Sequence, residues 1–188
     1  MPRTARFLPD NVCYHIIARG NQRQKIFINV SDYNYYVRLL KKYKTKFNIA
    51  IYGFCLMPNH VHFIVQPGES NCLSHFMKGL NQTYAQYFNE RYQKCGHLWQ
   101  ERFKSIIIDK ENYLFDCIKY VEFNPVRAEL AKSPSAYHWS SYQNRVLGKK
   151  DGVLDSLDDL FTTKRDRPQA KRGTVPHSAK GLSLIHRF

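Results

Sequence analysis

Acidic residues are scarce in this chain. Only 15 Asp+Glu stand against 29 Lys+Arg in 188 residues, a net charge of +14 with a sequence pI near 9.6. A field of that sign gathers polyanions, and nucleic acid is the commonest cellular polyanion. A basic ribosome-associated factor would satisfy the same balance. Cysteine pairs are also missing. Cys13, Cys55, Cys72, Cys95 and Cys117 form no CxxC, and their odd, scattered set fits reduced thiols rather than a disulfide framework. Cys95-Gly-His97 is half of a zinc spacing without a second half. No apolar run approaches the ~20 residues that span a bilayer. The N-terminal MPRTARFLPDNVCYHIIARG has no apolar signal core. These absences lead us to expect a soluble cytoplasmic protein, nucleoid-associated by its charge.

What is present suits a folded domain. Hydrophobic residues make up 43% of the chain, enough for a core. The 13 Tyr, 12 Phe and 2 Trp are expected mostly inside it, although exposed rings can stack on bases. There is no internal repeat, and no low-complexity tract before residue 162. The segment 12–19 (VCYHIIAR) predicts a first strand ended by Gly20-Asn21. Ser31 reads as the N-cap of a helix to Phe47, with Tyr35, Leu39 and Tyr43 at helical spacing. IAIYGFCL (49–56) and HVHFIVQ (60–66) predict two strands, and the short turn between them requires an antiparallel hairpin. A helix over 73–92, a strand over 102–109 and a helix over 111–124, ended or bent at Pro125, complete the pattern. Short helices are expected over 139–147 and 153–161. The order is that of a ferredoxin-like α+β fold, an antiparallel sheet with helices on one face. We expect residues 1–161 to form the domain and its helical extension, and 162–188 a basic flexible tail.

Two places in this layout carry chemistry. His60 and His62 sit at i and i+2 of a strand, so both imidazoles project from one side. Two such rings suit a divalent cation that takes further ligands, although accidental neighbours are common in that pattern. On the last long helix, Leu114, Ile118 and Val121 form a core-facing stripe. Tyr113, Cys117, Tyr120 and Asn124 form a neighbouring one. Tyr120 and Asn124 therefore stand one turn apart and point the same way. A tyrosine there that merely packs is the plain alternative. A phenol with an ordinary pKa near ~10 is a poor nucleophile at neutral pH, and a divalent metal that polarises a phosphate overcomes this.

The segments CLMPNHVHFIV (55–65), LWQERFKSIII (98–108) and KYVEFNPVRAEL (119–130) together resemble the REP-associated tyrosine transposases. These belong to the HUH single-tyrosine group, which acts on single-stranded DNA. The similarity covers roughly residues 10–145. It implies the HUH single-tyrosine nuclease fold and a metal-dependent endonuclease and transposase. Such an enzyme cleaves and rejoins DNA at hairpin repeats through a covalent 5′-phosphotyrosine. Tyr120 matches the nucleophile, and His60, His62 and Asn124 match the metal ligands, with Mg²⁺ or Mn²⁺ as the ion. Arg127 belongs to the matching block, where a phosphate contact and helix-end packing are both open. Glu129 departs from the pattern, which commonly has Gly there, so the local turn is expected to differ.

The partner implied is single-stranded DNA in REP-like hairpins. Arg19, Arg23, Lys25, Arg102 and Lys104, near strand ends, join Arg127 as expected DNA contacts. A monomer and a homodimer fit equally. Two alternatives stand beside this reading: a domesticated nucleic-acid-binding protein of the same fold that no longer cuts, and a small hydrolase that uses His60 and His62 with water.

Overall fold

The computed structural model describes residues 9, 12–109, 111–149, 152–158 and 160. The basic tail expected from residue 162 lies outside them. The chain divides into two compact units, Met1–Leu157 and Asp158–Phe188, and the fold below is that of the first.

Four strands form one sheet: β1 (Cys13–Arg19), β2 (Ile49–Met57), β3 (His60–Pro67) and β4 (Lys104–Ile108). Their order is β2-β3-β1-β4, and every neighbouring pair is antiparallel. Strands β2 and β3 make the expected hairpin. The helices are α1 (Val30–Lys46), α2 (Ser70–Arg91), α3 (Glu111–Glu122), α4 (Asn124–Arg127) and α5 (Tyr142–Val146). This is the antiparallel α+β architecture anticipated from the element order.

The two faces of the sheet are covered by different helices. Tyr14, Ile16 and Ala18 of β1 and Val61, Phe63 and Val65 of β3 enter one core with Tyr36 and Leu40 of α1 and Phe76, Met77, Leu80 and Tyr84 of α2. Residues alternate in a strand, so His15, Ile17, His60, His62 and Ile64 face the other way. Helix α3 covers that second face: a Cβ on Gly53 of β2 would lie 3.5 Å from Ile64 Cγ1 and 3.6 Å from Ile118 Cγ1. Helices α1 and α2 share a face as expected, while α3 takes the opposite one. Its buried stripe of Leu114, Ile118 and Val121 matches the periodicity. Burial of each is worth roughly 1.5–3 kcal/mol, an upper bound because unfolded chains are partly compact.

Local details differ from the sequence reading for identifiable reasons. Asn29, not Ser31, caps α1, because Asn29 and Asp32 form a reciprocal capping box. Asp32 is fully buried and also accepts hydrogen bonds from the hydroxyls of Tyr92 (2.7 Å) and Tyr87 (3.2 Å). Tyr36 and Leu40 fill the core, while Tyr35 and Tyr43 pack between α1 and α2. The rings of Tyr35 and Tyr87 stack at 3.9 Å, and Tyr43 Oη lies 2.7 Å from Thr83 Oγ1. Trp139 lies before α5, where its ring stacks on Tyr33 at 4.6 Å. Val153–Ser156 carry no helix. Asp155 instead binds β2, exchanging hydrogen bonds with Ile51 at 2.9 and 2.7 Å.

The end of α4 answers the question posed by Glu129. Its φ is 56°, so it takes the left-handed turn that a glycine would take. Leu130 N–H donates to Pro125 O at 2.8 Å and Glu129 N–H to Val126 O at 3.0 Å, which closes a complete Schellman ending. The expected change of turn does not occur; the two hydrogen bonds hold the turn at a conformational cost to Glu129. We therefore expect Glu129→Gly to raise stability by about 1 kcal/mol, the left-handed penalty less the added chain entropy of glycine. Urea denaturation reads this directly, and a loss of stability would show that the Glu129 side chain itself supports the fold.

Candidate functional site

The site lies where α3 crosses the second face of the sheet. The turn Pro58-Asn59 starts β3 and fixes its first residue. Gly20 N–H donates to Asn59 O at 2.8 Å, and Ile26 N–H to Pro58 O at 2.7 Å. A Cβ on Gly20 would come within 2.5 Å of Gln24 O and 2.8 Å of the Ile26 side chain, so only glycine allows this close loop. From that fixed turn, His60 and His62 project side by side, their ring centroids 4.9 Å apart. The alternation read from the sequence is borne out.

Tyr120 of α3 meets His62 and His15. Its ring centroid lies 6.4 Å from that of His62 and 6.0 Å from that of His15, edge-on in both cases. A buried polar chain holds this end of α3 against β2. Phe54 N–H donates to Ser141 Oγ at 3.0 Å, Ser141 Oγ–H donates to Glu122 Oε1 at 2.6 Å, and Arg145 Nε–H donates to the same oxygen at 3.0 Å. Glu122 stands two residues after Tyr120, so the anchor limits how far the phenol can move.

Pro125 ends α3, as its missing N–H dictates, and α4 follows after Phe123, which keeps near-helical dihedrals. Asn124 therefore stays one turn beyond Tyr120. Arg127 turns back over both residues. Its guanidinium carbon lies 3.8 Å from the Tyr120 ring centroid, and its Nη2 donates to Asn124 Oδ1 at 3.1 Å and to Tyr120 O. Of the two roles left open for Arg127, packing at the helix end is realised here. Asn124 Nδ2 is buried without a partner.

Burial and nearby charge keep the imidazoles of this site neutral. Burial lowers His15 and His60 to about 4, and for His60 the Arg19 charge adds to the effect. His62 is held well below the ordinary histidine range, by burial first and then by His15, His60, Arg19 and Arg127. At neutral pH all three rings are uncharged, and each keeps one nitrogen lone pair. For His60 the hydrogen can be placed. Asn59 Nδ2 donates to Arg23 O at 3.3 Å, which turns Asn59 Oδ1 toward His60 Nδ1 at 2.5 Å. That oxygen only accepts, so His60 carries its hydrogen on Nδ1 and its lone pair on Nε2.

The fold and these side chains point to one family. The family model described as IS200-like transposase matches residues 10–124. The chain belongs to the IS200-like transposases. Among solved structures, this transposase is similar to a REP-associated tyrosine transposase bound to a REP hairpin. The TM-score is 0.65 at 19% identity, over 84% of this chain and 96% of the other. At that identity the likeness is one of fold. A putative transposase from Deinococcus radiodurans is a weaker match, with 17% identity, 65% and 96% coverage and a TM-score of 0.44. No curated protein sequence matches at a significant level. Among the described residues, no helix of the transposase is long and apolar enough to cross a membrane.

The donor set of the transposase can be tested against a divalent cation. Among the described residues, no group of three His, Cys, Asp or Glu is placed to hold a metal ion, so an ion at His60 and His62 would need a donor of another kind. An amide oxygen has two lone pairs, and Arg127 takes one of those on Asn124 Oδ1. Two neutral imidazoles with an amide oxygen fit a weakly held divalent ion. Around this set, Arg19 pairs across the strands with His60, and Lys104 pairs with Ile17 on the same face. Arg23 ends a short 3-10 turn (Asn21–Arg23), and it, Lys25 and Arg102, which lies before β4, are exposed. Sequence reasoning missed His15, a polar residue on the buried second face of β1. Its position in an apolar strand is the only local signal; its partner is set by strand pairing.

Proposed function

We propose that this IS200-like transposase cleaves and rejoins single-stranded DNA through Tyr120. The observation that carries the proposal is the placement of the Tyr120 ring beside the His62 and His15 rings. Tyr120 Oη loses its proton to solvent and attacks a phosphorus atom, the P–O3′ bond breaks, and the 3′ oxygen takes a proton from solvent and leaves as a hydroxyl. The 5′ phosphate stays on the tyrosine. Attack by a 3′ hydroxyl on that ester reverses the step and restores Tyr120. His60, His62 and Asn124 would hold Mg²⁺ or Mn²⁺, which when bound polarises the phosphate and stabilises its transition-state charge. Arg19 and Lys104 supply positive charge beside the pair and favour a phosphate there. Arg127 confines the Tyr120 ring and orients Asn124 Oδ1.

Hairpins of the REP type are the substrates this reading favours, supported by the fold likeness to a transposase bound to such a hairpin. The test is incubation of labelled hairpin and scrambled strands with protein and Mn²⁺, with the gel read for a protein–DNA adduct. Cleavage with an adduct supports the proposal. Binding without cleavage favours a domesticated binding protein, and cleavage without an adduct favours a hydrolase that uses water.

Binding is expected to rest on phosphate contacts and to fall steeply with salt. The log–log slope should be near ~0.7 per phosphate neutralised on a single strand. Deleting 162–188, which contains basic residues from Lys164 to Lys180, should lower affinity modestly and leave the cleavage position unchanged. Titration across a salt series measures both effects. Loss of discrimination between hairpin and scrambled DNA would mean that the tail reads sequence.

A further inference from the structure

Strand β1 runs through the interior of the sheet, hydrogen-bonded to β3 on one side and β4 on the other. Its second face carries Cys13, His15 and Ile17. In the β1–β3 register Ile17 stands opposite His62 and His15 opposite Ile64, so His15 is the diagonal neighbour of His62. The diagonal contact is close. His15 Nε2 lies 2.9 Å from His62 Nδ1, and the two rings stack with centroids 5.1 Å apart and planes 23° from parallel. His15 is 8% exposed and His62 3%, so water cannot readily replace either partner.

Two uncharged imidazoles in nitrogen–nitrogen contact share one hydrogen, and its position decides what His62 can do. With the hydrogen on His15 Nε2, His62 accepts through Nδ1 and carries its own hydrogen on Nε2, which blocks coordination there. With the hydrogen on His62 Nδ1, His62 Nε2 keeps a lone pair. Asn59 imposes this second arrangement on His60. Because His15 occupies Nδ1 of His62, Nε2 is the only His62 nitrogen that a cation could reach.

We infer that His15 is a positioning residue for His62: its Nε2 accepts the His62 Nδ1–H bond and so leaves the His62 Nε2 lone pair available to a divalent cation. The inference rests on the proposed metal-binding role of the histidine pair. His15 then carries its own hydrogen on Nδ1. Because its ring also meets the Tyr120 ring edge-on at 6.0 Å, it fixes the orientation of the ligand from the side facing the nucleophile. A hydrogen-bond partner behind a ligating imidazole sets its tautomer and orientation, and losing one typically costs 10–100-fold in metal affinity.

Two substitutions separate this role from simple packing. His15→Leu keeps apolar bulk and offers no acceptor, whereas His15→Gln brings an amide oxygen close to the place of Nε2. Mn²⁺ binding to the full chain without DNA is measured by titration and electron paramagnetic resonance. The imidazole ¹⁵N shifts of His62 give its tautomer in the metal-free protein. His15→Leu should weaken Mn²⁺ binding about 10–100-fold, with His15→Gln within roughly threefold of the original. The original protein should show His62 as the Nδ1–H form, and His15→Leu should lose that preference.

Unchanged Mn²⁺ affinity in His15→Leu, equal loss in Leu and Gln, or an Nε2–H form of His62 in the original protein would each overturn the inference. If His15→Leu does not fold, His15→Gln and the tautomer of the original protein decide it. If Mn²⁺ affinity is insensitive to His60→Ala and His62→Ala, the metal reading of the site fails instead. The ¹⁵N comparison then still decides whether His15 sets the His62 hydrogen.

Discussion

Tyr120→Phe is expected to abolish both DNA cleavage and the covalent protein–DNA adduct, a loss of roughly 10⁴-fold or more, as for other nucleophiles removed outright. The substitution deletes one oxygen atom. The ring would keep its place under the Arg127 guanidinium and beside His15 and His62. The Glu122–Ser141–Arg145 anchor two residues away does not involve the phenol. Stability and affinity for hairpin DNA should therefore stay close to those of the original protein, which separates a chemical effect from a structural one. Adduct persisting in the variant, mapped by mass spectrometry to Tyr113 or another tyrosine, would refute the assignment. A matching drop in DNA affinity would point to a binding role for the phenol.

The second large effect is expected at His62. His62→Ala removes one of the proposed ligands and leaves His15 Nε2 without its partner in a buried place. Metal-dependent cleavage should fall by roughly 10³-fold or more, since the metal's charge stabilisation is worth several kcal/mol in the transition state. His60→Ala should act in the same direction, and excess chelator should reproduce the loss in the original protein. The orphaned His15 nitrogen and the vacated space cost about 1–3 kcal/mol of stability, so assays belong well below the melting temperature. His62→Gln, which keeps more of the volume, checks that the effect is not unfolding. Undiminished cleavage in excess chelator would assign the histidines another purpose.

Arg127 shows how a residue can be recognised in sequence and still be placed only by the fold. The block from Tyr120 to Leu130 left a phosphate contact and a packing role open. In the folded chain the guanidinium stacks on Tyr120 and holds the Asn124 oxygen, because the Schellman turn at Glu129 ends α4 after a single turn. Packing and phosphate binding are compatible: Arg127 remains exposed, and a planar guanidinium can stack through its face while its edge donates.

The sequence by itself determined whatever depends on local periodicity. A two-residue strand repeat put His60 and His62 on one side, and a 3.6-residue helix repeat put Tyr120 and Asn124 on a stripe beside Leu114, Ile118 and Val121. Pro125 ended the helix because it has no N–H to give. The hairpin of β2 and β3 followed from the shortness of its turn. Tertiary structure decided what depends on which elements become neighbours. Only the insertion of β1 between β3 and β4 brings His15, 47 residues away in sequence, to His62. Only the packing of α3 on the face opposite α1 and α2 lowers Tyr120 onto the histidines. The physical reason is that backbone geometry repeats over a few residues and can be read in any window, whereas strand register and face are fixed by pairing and burial summed over the whole domain.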